Sequence, residues 1–233
     1  TVPRRAHLFH AEDRFDRFLA SRARSAGSRC TAAQADTVGA ADLASFRYVE
    51  FPENVALALD VCEAVGVPRA RALAAMAGVR PDLGAMTIQH LVAGGKSLAL
   101  VNGFAANDPQ SYVRIWERLD LGGRADEVVL VFNNRADRMH RAKDLVPLFG
   151  RALPAGRYVL IGEECRTVAG LLRRAGVPMD RVDDLGGRPA PELWAKLVDL
   201  CPAGGLVVGM GNIKGIGTEL LAHVDGLCAV EVP

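Results

Sequence analysis

Two kinds of stretch alternate along most of the chain. Short unbroken apolar runs predict buried strands, and longer stretches with apolar positions every three or four residues predict amphipathic helices. Residues 98–119, LALVNGFAANDPQSYVRIWERL, contain both. Residues 98–101 read as a strand. Asp108 stands as N-cap and Pro109 as first residue of a helix. That helix puts Val113, Trp116 and Leu119 on one side, with Ile115 beside them. Further on, strands are predicted at 127–132, 157–161, 205–208 and more weakly at 181–184. Helices are predicted at 137–149, 165–175, 190–200 and 215–224, with a last strand near 227–232. Strands alternating with helices of this length mean a parallel sheet covered on both faces, Rossmann-like in architecture.

The first third is patterned differently. A short strand at 5–10 leads into a helix at 11–27 carrying Phe15, Phe18 and Leu19 at helical spacing. Arg14, Arg17, Arg22 and Arg24 decorate it. It reads as a solvated surface helix, or as a basic helix on an anionic membrane with its charge diluted by Asp13 and Asp16. Residues 30–46 show no regular pattern. Pro52 and Glu53 suit a first helical turn. Val55, Leu59 and Cys62 follow helical spacing until Gly66, and a second helix covers 68–77. Pro81 and Gly84 mark 78–84 as a linker, dividing the chain into 1–80 and 85–233.

Composition narrows the function. Half of the 233 residues are hydrophobic, enough for a sizeable core, and the net charge of +1 gives no electrostatic case for nucleic acid. The five cysteines are odd in number and form no CxxC pair, which argues against a disulfide framework and for a reducing cytoplasm. No zinc-ligand spacing occurs. Apolar runs fall well short of the roughly 18 residues that span a bilayer, and no signal-peptide pattern is present. A start at Thr1, with a strand almost at once, suggests a fragment or a processed product. Gly95-Lys96-Ser97 ends like a P-loop, but His90 occupies the first glycine position and a strand follows. Gly94-Gly95 between two apolar runs is a hairpin turn.

Three polar stretches follow strands: 102–108, 133–138 and 209–217. Open α/β sheets bind ligands at the carboxyl ends of their strands. In the second stretch Arg138 offers a planar fork that fits a carboxylate; alternatively Asp137 caps a helix and Arg138 points to solvent. In the third, GxGxxxG departs from the dinucleotide spacing GxGxxG, yet glycines and Lys214 at a helix N-terminus suit an anion. The histidines are scattered, and Glu163-Glu164 argue against a low-pKa thiol at Cys165.

These stretches also carry a resemblance. Asn107-Asp108-Pro109 resembles the motif opening the C-terminal domain of Mur-type amide ligases. The longer string VNGFAANDPQS at 101–111 is similar to the ligase subunits of poly-γ-glutamate synthases, the PgsB/CapB type. Asp137-Arg138 resembles the Mur-ligase element that holds the incoming amino acid, and Gly209-Met210-Gly211-Asn212 matches the corresponding end of the poly-γ-glutamate synthase subunit. The helix at 54–66 resembles the end of the Mur central domain, although Phe51-Pro52 replaces the usual His-Asn pair. The resemblance implies an α/β fold: the end of an ATP-binding domain over 1–80, then a Rossmann-like amino-acid-binding domain over 85–233. It implies ATP-dependent γ-glutamyl ligation through an acyl phosphate, using ATP and Mg2+. The metal ligands and P-loop would lie upstream of Thr1, leaving this chain inactive alone.

By the same resemblance Asn107, Asp108, Asn134, Asp137 and Arg138 would bind substrate. Asn54 and Asn102 would lie near the nucleotide, and Gly209, Gly211, Asn212 and Lys214 would form an anion-binding loop. For Asn54 the alternative is a satisfied helix end. The implied partners are glutamate, poly-γ-glutamate, the missing P-loop segment and membrane-bound synthase subunits. The implied location is cytoplasmic, peripheral at the inner face of the membrane. Two rival readings are a nicotinamide-dependent oxidoreductase, resting on the glycine-rich loop, and a non-catalytic interaction module whose polar turns are only caps.

Overall fold

The computed structural model describes residues 2–11, 14–79, 82, 84–106 and 108–230, the last three by backbone alone. The chain divides into two units, Thr1–Pro81 and Asp82–Pro233.

In the first unit β1 (His7–Ala11) and β2 (Arg29–Ala33) pair in parallel, with His7 opposite Arg29. The crossover between them is α1 (Asp16–Ser25), and α2 (Ala40–Leu43), α3 (Pro52–Ala64) and α4 (Arg69–Gly78) follow. Ala33, Val38, Val55, Ala56, Leu59 and Ala72 form the core. Two expectations change here. The first helix starts at Asp16, and Ala11, expected as its first residue, ends β1. Residues 30–46, read as irregular, hold β2, a 3-10 turn at Ala35–Thr37 and α2. RCTAA lacks strong apolar alternation, so its strand character comes from pairing with β1. Phe15 and Phe18 are exposed.

The second unit is built on a six-stranded sheet. Its elements in chain order are β3 (Thr87–Ala93), β4 (Lys96–Asn102), α5 (Pro109–Arg118), β5 (Val128–Asn134), α6 (Met139–Leu145), β6 (Arg157–Gly162), α7 (Cys165–Arg174), β7 (Val182–Asp184), α8 (Ala190–Leu200), β8 (Leu206–Gly211) and α9 (Ile216–Val230). The spatial order is β3-β4-β8-β5-β6-β7. Every pairing is parallel except the β3–β4 hairpin. Gly94 and Gly95 close that hairpin with φ of 58° and 74°, the double positive φ that a two-residue type I′ turn requires. Lys96 therefore begins a strand, and its Nζ donates to the Cys201 carbonyl.

Because strand side chains alternate between faces, each strand serves two layers. Leu98, Leu100, Val129, Val131, Val159, Ile161 and Val207 pack with Leu193, Trp194, Leu197 and Val198 of α8 and with Leu220 and Val224 of α9. The alternate positions, among them Val101, Leu130, Phe132, Leu160 and Met210, are equally buried. The last strand, β8, is inserted between β4 and β5. Strand order reverses there, so the carboxyl ends of β4, β8 and β5 flank a topological switch point, where open sheets form a ligand crevice.

Three local expectations are corrected. The buried residues of α5 are Tyr112, Ile115 and Trp116, with Tyr112 fully buried, so Tyr112 and not Val113 leads the stripe. The helix expected over 137–149 is divided into a 3-10 turn (Ala136–Arg138), α6 and a second 3-10 turn (Val146–Leu148). Pro147, which has no backbone N–H to donate, falls where α6 would otherwise continue. Residues 227–230, expected in a last strand, continue α9, while 231–233 lie outside the described residues.

Candidate active site at the carboxyl edge

Hydrogen bonds join the ends of β4, β8 and β5 into one frame. At the end of β4, Asn102 Oδ1 accepts from the Phe104 amide at 3.4 Å and Nδ2 donates to the Ala85 carbonyl at 3.3 Å. The Gly103 amide donates to the Gly209 carbonyl at 3.0 Å, and the Phe104 ring covers Gly209 so closely that a Cβ there would overlap it. The Tyr112 hydroxyl accepts from the Gly211 amide at 2.9 Å and is 2.6 Å from the Ala106 carbonyl, to which it donates. Burial pushes the Tyr112 hydroxyl pKa up to about 12, against the opposing pull of its contact with Gly211 and the charge of Arg141. At the end of β5, Asn133 Nδ2 donates to the carbonyls of Asn212 and Lys214. The Asn133 carbonyl accepts from the Asn212 amide at 2.9 Å and from its Nδ2 at 3.2 Å. Asn212 Oδ1 in turn accepts from Arg141 Nη1 at 3.2 Å.

Asn134, one residue beyond, is 2% exposed. Its Nδ2 donates to the Glu163 carbonyl at 2.8 Å and contacts Met139 Sδ at 3.1 Å. Its Oδ1 is buried with no hydrogen-bond partner among the described residues. Glu163 Oε2 accepts from the Ala136 amide at 2.7 Å, which fixes the turn carrying Arg135. Arg135 Nη2 lies 2.9 Å from Asp137 Oδ2, whereas Arg138 Nε is 3.8 Å from the same oxygen.

Two clefts open on this frame. The larger, about 660 Å3, is lined by Asn134, Arg135, Glu163, Arg188, Lys214 and Glu219, and by the residues that start α8 and α9. The smaller, about 330 Å3, has Arg135, Arg138, Arg141 and Lys214 as its cations and Asp82 as its acid. Arg135 and Lys214 line both.

The expected site residues therefore separate. Asn134 and Lys214 line the larger cleft, and Arg138, Asn212 and Lys214 the smaller. Asp137 is exposed and pairs with Arg135. Asp108 caps α5: Oδ1 accepts from the Ser111 amide at 3.0 Å and Oδ2 from its hydroxyl at 2.5 Å. Partial burial alone would raise the Asp108 pKa. The Ser111 and Gln110 hydrogen bonds and the charge of Arg114 outweigh it and hold the carboxyl below its usual range. Asn102 is buried at the strand end, and Gly209 and Gly211 sit where Phe104 and the Asn133 backbone approach too closely for a side chain. Asn54 belongs to the first unit, is exposed, and donates to Glu50 Oε1 at 2.9 Å. Asn107 lies outside the described residues. The Cys165 thiol is pushed up to about 12 by burial and by Asp184, so it is no activated nucleophile. Arg141, Arg188, Glu219 and Tyr112 were not singled out from the sequence, and Glu163 entered it only as an acid beside Cys165. For Arg141 a signal existed: Arg135, Arg138 and Arg141 recur at intervals of three, a spacing that places side chains on one face of a helical turn.

Comparison with known proteins identifies the class first. Over 98% of its length the chain matches 52% of MurF from Acinetobacter baumannii, with a TM-score of 0.55 and 12% identity, so the fold is that of the Mur ligases. Residues 88–227 match the family described as the poly-gamma-glutamate synthase CapB C-terminal domain. The chain belongs to that family. It is 30% identical over 229 residues to the PGA synthase CapB of Bacillus subtilis (strain 168), covering 96% of this chain and 57% of that protein. To the capsule biosynthesis protein CapB of Bacillus anthracis it is 30% identical over 226 residues, covering 95% of this chain and 48% of that one. The chain thus spans about half the length of these relatives.

Proposed function

We propose that this chain is the part of an ATP-dependent amide ligase of poly-γ-glutamate synthesis that holds the incoming glutamate. The observation that carries this reading is the charge composition of the larger cleft. Arg135, Arg188 and Lys214 line a space of about 660 Å3 together with Glu163 and Glu219, and Arg188 also lies 3.6 Å from Glu192. Glutamate brings two carboxylates and one ammonium, so cations in excess over acids are its complement. The starts of α8 and α9 add the partial positive charge of helix N-termini, and the unpartnered Asn134 Oδ1 adds a buried acceptor at the wall. Names of relatives support the same substrate class.

In the proposed reaction ATP phosphorylates a chain-end carboxylate. ADP is released, and the neutral amine of glutamate then attacks the acyl carbon, expels phosphate and gives up one proton to solvent, forming the amide. The described residues include no group of three or more His, Cys, Asp or Glu side chains able to hold a metal ion, and Gly95-Lys96-Ser97 sits in a hairpin. No step through Mg2+ or the nucleotide is assigned to these residues. Their contribution is orientation and charge complementarity, which together lower the barrier for amine attack. Among the described residues no helix is long and apolar enough to cross a membrane. We place the reaction in the cytoplasm, where ATP is supplied, with membrane-bound synthase subunits receiving the product. The glycine-rich loop does not favour a dinucleotide, because Gly209 and Gly211 are taken up by close packing against Phe104 and Asn133.

The resemblance points to Arg138 as the carboxylate anchor. We assign that role to Arg135, which lines the larger cleft where Arg138 does not. In the intact enzyme, Arg135→Ala should raise the glutamate KM by about ten- to a hundredfold, the loss of one charge-assisted contact. The ATP KM should stay nearly unchanged. Arg135→Lys should recover only part, because an ammonium lacks the bidentate fork. Steady-state kinetics with each substrate varied separately decide it. A raised glutamate KM in Arg138→Ala with none in Arg135→Ala would return the anchor to Arg138.

A further inference from the structure

We infer that the smaller cleft binds carboxylates of the acidic oligomer being extended, with Arg141 as its fixed anchor. This rests on the proposed glutamate ligation and assigns its second substrate a place. Three observations carry it. First, the two clefts differ in charge: the larger is lined by cations and two acids, while the smaller is lined by four cations and one acid, Asp82. Asp137, outside the lining, is paired to Arg135 and lies 3.8 Å from Arg138, which leaves Arg141 and Lys214 as the cations of the smaller cleft without a carboxylate partner among the described residues. A free amino acid carries an ammonium that the smaller cleft opposes. A γ-linked chain has consumed its internal amines as amides and presents one free carboxylate per residue, a polyanion the smaller cleft complements.

Second, Arg141 is held in advance. Its Nη1 is on Asn212 Oδ1, and Asn212 is 5% exposed and bonded twice to the Asn133 backbone. Arg141 is partly buried, and no ion pair to a carboxylate is found for it among the described residues. Four of its five N–H donors remain beyond the Asn212 contact. A half-buried guanidinium on a neutral amide favours a ligand that brings the missing negative charge. Third, Arg135 and Lys214 line both clefts, so a chain end in one lies beside an amino acid in the other. Amide synthesis needs that adjacency.

The test uses purified intact enzyme, with glutamate, ATP and a short γ-linked oligoglutamate varied separately. Arg141→Gln keeps an amide donor for Asn212 and removes the charge. Arg138→Ala removes an exposed side chain with little burden on folding. Each should raise the oligomer KM by about tenfold or more and leave the glutamate and ATP KM values within error. Arg141→Lys should restore part of the loss. A raised ATP KM would make the cleft a phosphate site, and a raised glutamate KM an amino-acid site; either overturns the inference. Unchanged oligomer KM in both variants also overturns it. If neither Arg135→Ala nor Arg138→Ala raises the glutamate KM, the underlying glutamate reading fails as well, which separates the two.

Discussion

Asp108 links a local cap to pH. Its side chain accepts from the Ser111 amide and hydroxyl at the start of α5, and its pKa is lowered in the folded protein. A depressed carboxylate contributes stability above its unfolded value, and that stability is lost as pH falls through the folded one. Asp108→Ala should cost about 0.5–2 kcal/mol at neutral pH. Asp108→Asn should keep most of the cap and lose the acid-side dependence. Urea midpoints of the three proteins at pH 7 and below pH 4 measure both effects; parallel curves for wild type and Asp108→Asn would remove the titration argument. This cap was legible in the sequence, because Asp-Pro ahead of an apolar-periodic run is local chemistry. Arg141 showed in the sequence only as one of three arginines at intervals of three; what fixes it is Asn212, which lies 71 positions away.

Among elements, the junction of α5 with β8 turns on one hydroxyl. Tyr112 is fully buried, and its oxygen serves the Gly211 amide and the Ala106 carbonyl. Tyr112→Phe should cost about 1–3 kcal/mol, since it leaves buried backbone groups unpaired. The raised pKa adds a second signature. A tyrosine kept neutral by the fold contributes stability that is full below pH 10 and drains away as pH rises through about 12. Wild type should therefore lose stability over that window, and Tyr112→Phe should lose less, as followed by denaturant unfolding at stepped pH. Equal alkaline slopes would place the titration elsewhere. Sequence pattern found α5 but chose Val113 for its buried stripe, since tyrosine is apolar enough to bury only when its hydroxyl finds partners. The β-strands were easier: EVVLVF and LVVG are continuous apolar runs, as strands covered on both faces must be. RCTAA and the end of α9 were misread because neither carries a period of its own.

At the scale of the whole molecule, position on the sheet separates chemistry from scaffold. Lys96 opens β4 at the edge opposite Asn102, about 20 Å away at 3.3 Å per residue. Lys96→Met in the intact enzyme should leave the ATP KM unchanged, and a clear rise in it would revive a phosphate role for Gly95-Lys96-Ser97. The alternation of strands and helices was legible because it is local. The place of β8 between β4 and β5 was not, since strand order depends on pairings distant in sequence, and the two clefts exist only because of it. Arg135 and Lys214 stand on the wall common to both clefts, and a shared wall makes the two occupancies a single thermodynamic system. An anion drawn to one side of a guanidinium leaves less positive potential on the other. On the proposed assignment of an anion to each cleft, each occupant would loosen its neighbour, and by linkage each would do so by the same factor. Mutual loosening of this kind would hasten the departure of a product holding both clefts at once.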